Sequence, residues 1–159
     1  MTSRVNPVPD GMHTLTPHLV VKGASKAIEF YKLAFDAEEV GRLPAPDGKS
    51  ILHADLKIGD SHVLLVDEFP EMDCRGPESI GGTPVTIHMY VEDVDAAFGQ
   101  AVAAGAKVRL PLADRFWGDR YGVLTDPFGH SWSLATRKEE LSPQEIGTRA
   151  QTACRPATA

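Results

Sequence analysis

The sequence predicts an α+β fold made of two βαβββ modules, and three observations carry that prediction. The two halves match at one offset: Thr16 and Thr86, His18 and His88, Val21 and Val91, Ala27 and Ala97, and Ala34 and Ala104 each lie 70 residues apart. The same offset reaches Gly59 and Gly129, Ser61 and Ser131, and Leu64 and Leu134; self-similarity at a fixed period marks a duplicated unit. Each half also passes through the same order of periodicities, one strand, one helix and then three strands, with turn residues between them.

Residues 1–13 read as a flexible leader, and the first module as residues 14–66. Leu15 to Val21 is rich in strand-forming residues. Ser25 to Phe35 reads as a helix with Ile28, Tyr31 and Phe35 on one face and Ser25 as its N-cap. Strands follow over Glu38 to Leu43, Ser50 to Lys57 and Ser61 to Val66, separated by the Pro44 to Gly48 turn and the Gly59-Asp60 turn. Residues 67–83, rich in Pro, Gly and charge, form an inter-module loop long enough to be a linker or a functional flap.

The second module, residues 84–137, repeats the pattern. A strand over Pro84 to Val91 leads to a helix capped by Asp93 or Asp95 and ending at Ala104, with Val94, Ala97, Phe98, Ala101 and Val102 on one stripe and Gly105 at the C-terminal turn. Gly99 costs this helix roughly 1 kcal/mol relative to alanine. Strands follow near Ala106 to Leu110, Tyr121 to Thr125 and Ser131 to Thr136. In residues 138–159, Ser142-Pro143-Gln144-Glu145 has the form of a capping box that starts one short helix, with a disordered tail from about Thr148.

Composition narrows the function classes. With 42% hydrophobic residues the chain can bury a core, but nowhere does it approach the roughly 18 apolar residues of a membrane span, and its start lacks a signal-peptide core. A cytoplasmic protein is expected. Cys74 and Cys154 have neither disulfide-framework nor metal-type spacing. A net charge of −6 without a Lys/Arg run argues against nucleic acid and membrane surfaces, and is permissive of a cationic small ligand. No nucleophile elbow, phosphate-cradling glycine loop or dinucleotide fingerprint occurs.

The stretch from Phe116 to Leu134 is the most distinctive. Two aromatics beside Gly118-Asp119-Arg120 read as a loop, followed by a hairpin that turns on Asp126-Pro127-Phe128-Gly129 and leaves through His130-Ser131-Trp132. This pattern, with the duplication, resembles the vicinal oxygen chelate superfamily of glyoxalase, bleomycin-resistance and extradiol-dioxygenase proteins, most closely its PhnB-like branch. The resemblance implies that the two modules form a curved mixed β-sheet cup with the helices outside, and that the chain is a homodimer. It places the superfamily's metal-ligand positions on Thr16 and Thr86 in the first strands and on Ser133 and its repeat mate Val63 in the last strands. None of the four is an imidazole or carboxylate donor, which such ions need.

The favoured expectation is therefore a metal-free small-molecule-binding protein without a cofactor, its substrate unassigned. One alternative is a metal-dependent lyase, isomerase or dioxygenase whose divalent metal sits on displaced ligands, His18 and His88 with His53 or Asp55. Another is a metal-independent enzyme using His53 or His88 as general acid/base, His53 being oriented by Asp55 on the same strand face. The ligand-binding candidates are His18, His53, Asp55, His88 and Tyr90 facing inward, with Trp117, Arg120 and Tyr121 at the rim. Arg120 reads either as a fork for a ligand carboxylate or phosphonate, or as a loop clamp on Asp119, Asp126 or Asp55. His62 reads as a solvated strand residue, and His13 and His130 as structural or surface residues.

Overall fold

The structure, a computed structural model, describes residues 5–153. In chain order the elements are β1 (His18–Val21), α1 (Ala24–Phe35), β2 (Glu38–Pro44), β3 (Ile51–Ile58), β4 (Ser61–Asp67), α2 (Pro77–Ile80), β5 (Thr86–Tyr90), α3 (Val94–Ala104), β6 (Lys107–Asp114), β7 (Asp119–Thr125), β8 (Ser131–Arg137) and α4 (Pro143–Ala153). Two four-stranded sheets result, ordered β1-β4-β3-β2 and β5-β8-β7-β6. In each, the first strand runs parallel to the last and the other pairs are antiparallel. The α+β architecture of two βαβββ units is thus present, as two open sheets.

Strand alternation sends one face of each sheet to the helices. Leu19, Val21, Ala54, Leu56, Val63 and Leu65 are buried on the helix side of the first sheet, and Leu124, Trp132 and Leu134 on that of the second. Helices α1 and α3 pack on each other, and α1 carries Phe30, Tyr31 and Phe35 into contact with Phe128 and Trp132 of the second module. The Phe35 and Trp132 rings lie 4.6 Å apart. The modules therefore share one core, to which each fully buried large side chain contributes about 1.5–3 kcal/mol.

A buried carboxylate locks the joint. Asp126, 4% exposed, accepts from the Tyr31 hydroxyl at 2.6 Å and the Trp132 indole at 2.9 Å, while its other oxygen accepts from the Phe128 and His130 amides at 2.9 Å each. Burial, and then the Asp126 charge, raises the Tyr31 phenol well above its ordinary pKa, so this proton stays on the tyrosine.

Several sequence expectations need correction. Ser25 is not the N-cap of α1: Gly23 holds that position at φ 96°, and the Asp67 carboxylate accepts from the Gly23 and Ala24 amides at 2.9 and 2.8 Å. Its second oxygen takes the Ile51 amide at 2.7 Å, so one side chain from β4 fixes the starts of α1 and β3. In α3, Asp93 is the cap, accepting from the Ala96 amide. Helix α4 runs to Ala153, past Thr148 where a disordered tail was expected; residues 154–159, including Cys154, lie outside the described residues.

The repeat offset also drifts. His18 faces Leu64, whereas His88 faces Ser133, so the mate of Ser133 is Leu64 and not Val63. The cause lies in the connections: the register equates Ala54 with Gly122, 68 residues apart, so the second module is shorter between its first and third strands, and its longer β7–β8 turn restores only part of that loss. A one-residue slip moves a side chain to the other face, which is why Val63 lies in the core. Among the described residues no helix is long and apolar enough to cross a membrane.

Candidate functional site

The faces of the two sheets turned away from the helices carry most of the chemistry. On the second sheet, β5 places Thr86, His88 and Tyr90 there, β8 places Ser131 and Ser133, and β7 places Asp119, Tyr121 and Val123. The loop expected before the hairpin is in fact the end of a longer β6 and a tight β6–β7 turn, with Asp119 and Arg120 already inside β7. Gly118 makes that turn possible: it has φ 98°, and a Cβ there would sit 2.9 Å from the Glu139 carbonyl.

This register gathers an aromatic wall. Asp119, 7% exposed, accepts from the Tyr90 hydroxyl at 3.1 Å and from the Trp117 indole at 3.0 Å. The Tyr121 ring stands edge-on to Trp117 at 5.5 Å and stacks at 26° on His88, which in turn meets Tyr90 at 4.6 Å. The hydrogen bond to Asp119, then burial, raises the Tyr90 phenol above its ordinary pKa. Four predicted site residues, His88, Tyr90, Trp117 and Tyr121, are thus brought together by Asp119, which the sequence sets beside Arg120 as a charge partner and not among the ligand-binding candidates. Its signal was present: starting the strand at Asp119 puts it on the face of Tyr121.

The same alternation removes Arg120. It points to the helix side, where its guanidinium donates to Asp95 at 2.6 and 2.7 Å and to Asp114 at 3.3 Å. That bond to Arg120 holds the Asp95 carboxyl below its ordinary range. Arg120 is a clamp between β7 and the first turn of α3, and its partners are Asp95 and Asp114 rather than Asp119, Asp126 or Asp55.

On the first sheet, His18, His53 and Asp55 share the inner face, and the His18 and His53 rings meet edge-on at 6.2 Å. Asp55, however, is paired with His62 Nδ1 at 2.7 Å, both side chains being largely buried (17% and 11% exposed). His62 is therefore not solvated, and Asp55 does not orient His53. The two-residue β3–β4 turn sets this register and was the signal for it. Residues of the leader run past this edge, with His13 Nε2 3.1 Å from the Asp60 carbonyl.

Between the edge strands β1 and β5 lies a cavity of about 640 Å³, lined by His18, Arg75, Thr86, His88 and His130 together with apolar groups such as Leu15, Ile80 and Val85. His130, expected to be structural, donates from Nε2 to the Val20 carbonyl at 2.9 Å and so joins the β7–β8 turn to β1. The His88 ring is held through Nδ1 by Ser133 Oγ at 2.7 Å. Inside the loop between the modules, Phe69 and Cys74 pair as an isolated bridge and α2 follows.

The donor set does not fit a metal ion at the positions implied by resemblance. Thr16, Thr86, Leu64 and Ser133 supply no imidazole or carboxylate, and among the described residues no three His, Cys, Asp or Glu side chains converge on a common point.

Comparison with known proteins agrees with this architecture. Residues 11–134 match the model of the Glyoxalase/Bleomycin resistance protein/Dioxygenase superfamily. An uncharacterized protein of Mycobacterium tuberculosis (strain ATCC 25618 / H37Rv) is 55% identical over 136 residues, covering 83% of this chain and 79% of that one. Among solved structures, TioX from Micromonospora sp. ML1 aligns with a TM-score of 0.63 at 29% identity, covering 79% of this chain and 98% of its own. A PhnB protein from Bacillus cereus aligns with a TM-score of 0.60 at 21% identity, covering 78% and 99%.

Proposed function

We propose that this chain, which belongs to the Glyoxalase/Bleomycin resistance protein/Dioxygenase superfamily, is a small-molecule-binding protein that takes a planar apolar ligand against the aromatic wall without a bound metal ion. The observation that carries the reading is the double hydrogen bond to Asp119. With the polar ends of Tyr90 and Trp117 both tied to one buried carboxylate, the groups left to face a ligand are ring surfaces, and stacked or edge-on aromatic pairs contribute about 0.5–1.5 kcal/mol each beyond area burial. Concave, mostly apolar sites with a few fixed polar groups are the usual form of a small-molecule pocket. Metal independence is supported by the donor set described above.

A homodimer in a soluble, cytoplasmic setting belongs to the same proposal. Its support is the apolar surface left open along the outer strands, where Val40, Leu43, Val108 and Leu110 are exposed. Sedimentation of a monomer at micromolar concentration would remove this part.

The direct test is calorimetric titration with a neutral planar probe, 2-naphthamide. Binding that is weakened severalfold by Tyr121→Ala and by Trp117→Ala supports the wall as the site; undiminished binding in both variants would place the ligand elsewhere. Elemental analysis of protein purified without chelator or histidine tag tests the other half. Stoichiometric Zn, Ni, Mn or Fe that disappears in His18→Ala and His88→Ala would restore a metalloenzyme.

A second reading rests on the Asp55–His62 pair. A carboxylate-oriented, largely buried imidazole is the form of a general base, and it takes the role first given to His53 or His88. Turnover of any substrate that survives His53→Gln and His88→Gln but not His62→Gln would establish it.

A further inference from the structure

We propose that the ligand of this site carries an oxyanion, a carboxylate or a phosphonate, held in the cavity between β1 and β5 by Arg75, His18 and His88. The proposal rests on reading that cavity and the aromatic wall as one binding site, with His88 belonging to both.

The first argument is the charge of the lining. The chain has 22 acidic and 16 basic residues, so a random patch of its surface is acidic. Yet the cavity wall contains Arg75 and three histidines and no aspartate or glutamate. An acidic protein with one carboxylate-free concave surface focuses a positive potential there, and such fields raise the local concentration of oppositely charged ligands. The neighbouring cavity across Leu15, Pro17, Ile87 and His88 is different, for Asp36, Glu38 and Asp60 line it together with Lys57. Charge selectivity therefore belongs to the β1–β5 side.

The second argument is that Arg75 is placed there by a fixed loop. The next residue, Gly76, donates its amide to Glu68 Oε1 at 2.6 Å, and a Cβ on it would lie 2.7 Å from the Val20 carbonyl. Two residues on, Pro77 packs so closely on the β7–β8 turn that a Cβ on Gly129 would come within 2.9 Å of it. The chain beside Arg75 is thus pressed against both modules. The carboxylate closest to its guanidinium is Asp73, at 4.0 Å and almost fully exposed, which is a weak, solvent-screened contact. A planar fork in this state suits a carboxylate or phosphonate oxygen pair.

Hydroxyls and a second guanidinium complete the set. The Ser133 bond to His88 Nδ1 leaves Nε2 out of that contact. Thr86 Oγ1 lies 3.0 Å from Ser131 Oγ, which accepts from Arg109 at 3.3 Å. Arg109 stands behind the same row of hydroxyls and adds to the field. A cationic ligand, which the overall charge of the chain had suggested, would face Arg75 with no carboxylate on the cavity wall to balance it.

The experiment uses the full chain and three probes of one shape: 2-naphthoate, 2-naphthamide and 2-naphthylmethylammonium, titrated by calorimetry at low and at raised salt. The expected result is that 2-naphthoate binds at least tenfold more tightly than 2-naphthamide, with the ammonium weakest, and that added salt weakens only the naphthoate. Arg75→Gln should bring naphthoate down to the affinity of the amide and leave the amide unchanged, while Arg75→Lys should recover part of the preference. Equal affinity for naphthoate and amide, or a preference for the ammonium, overturns the proposal and leaves the binding reading standing. Retention of the full preference in Arg75→Gln, with a wild-type melting curve, overturns the assignment to Arg75. Absence of binding for all three probes overturns both this proposal and the reading on which it rests.

Discussion

Asp119 and Asp126 sit in the second module within one hairpin, and each accepts one tyrosine hydroxyl and one tryptophan indole. They lie on opposite faces of the same sheet. Asp126 gathers Tyr31 and Trp132 on the helix side, and because Tyr31 comes from the first module, the constellation joins two halves of the protein. Asp119 gathers Tyr90 and Trp117 on the inner side, where none of the described helices packs over them, and the same chemistry produces a surface. The difference teaches that a buried carboxylate with aromatic donors is neither a structural nor a functional device in itself; the face of the strand on which it falls decides which.

Removing each carboxylate sharpens this contrast. Asp126→Ala leaves a phenol, an indole and two amides without their acceptor in a nearly dry site, and should cost about 3–5 kcal/mol in urea denaturation. Binding of 2-naphthamide per folded molecule should be unchanged. A cost below about 1 kcal/mol would break the view of Asp126 as the joint between modules. Asp119→Ala should cost less, about 1–3 kcal/mol, because the groups it frees are nearer to water. It should nevertheless weaken 2-naphthamide binding severalfold, by releasing both rings. Equal effects of the two variants on binding would dissolve the comparison.

Arg120 provides a check from the same strand. Lying on the helix side in a partly exposed pair with Asp95, Arg120→Ala should lower the melting temperature slightly and leave probe affinity alone. Loss of affinity would return Arg120 to the site.

Acid titration probes a region remote from both carboxylates. The hydrogen bond from Arg42, and then that from Lys32, lowers the Glu39 pKa from 4.5 to about 2. A carboxyl depressed on folding adds stability that is fully present above its unfolded pKa and is lost as pH falls through the folded one. The contribution of this cluster should therefore be intact above about pH 5 and fade between about pH 4.5 and 2. In Glu39→Gln the melting temperature should fall less steeply over that window than in the wild type. The smallest effect is expected at Gly99, where an added Cβ meets nothing within 4 Å. Gly99→Ala should raise stability by up to about 1 kcal/mol and move neither binding nor acid response.

Much of the fold was legible because it is written in local patterns. The helical stripe of α3, the Asp93 cap and the turn residues each specify their element through neighbours a few positions away. The repeat was legible for a similar reason, since a duplicated module keeps its order of elements even when its turns change length. Candidate residues on well-read strands, His18, His53, His88 and Tyr90, were placed on the inner face for that reason alone.

What the sequence by itself determined, then, is the order and type of the elements, the shared face of those four side chains, and the lack of donors at the implied metal positions. Tertiary structure decided how the pieces pair. Whether Asp55 meets His53 or His62, whether Ser133 corresponds to Val63 or Leu64, and whether Arg120 joins Trp117 or Asp95 all turn on a single residue of register. With a side-chain period of two, such a slip exchanges core for cavity. Bonds such as Tyr31 to Asp126 and His130 to Val20 span 95 and 110 residues, and they form because packing α1 and β1 of the first module against the β7–β8 hairpin brings those groups together, an energy that no local pattern records.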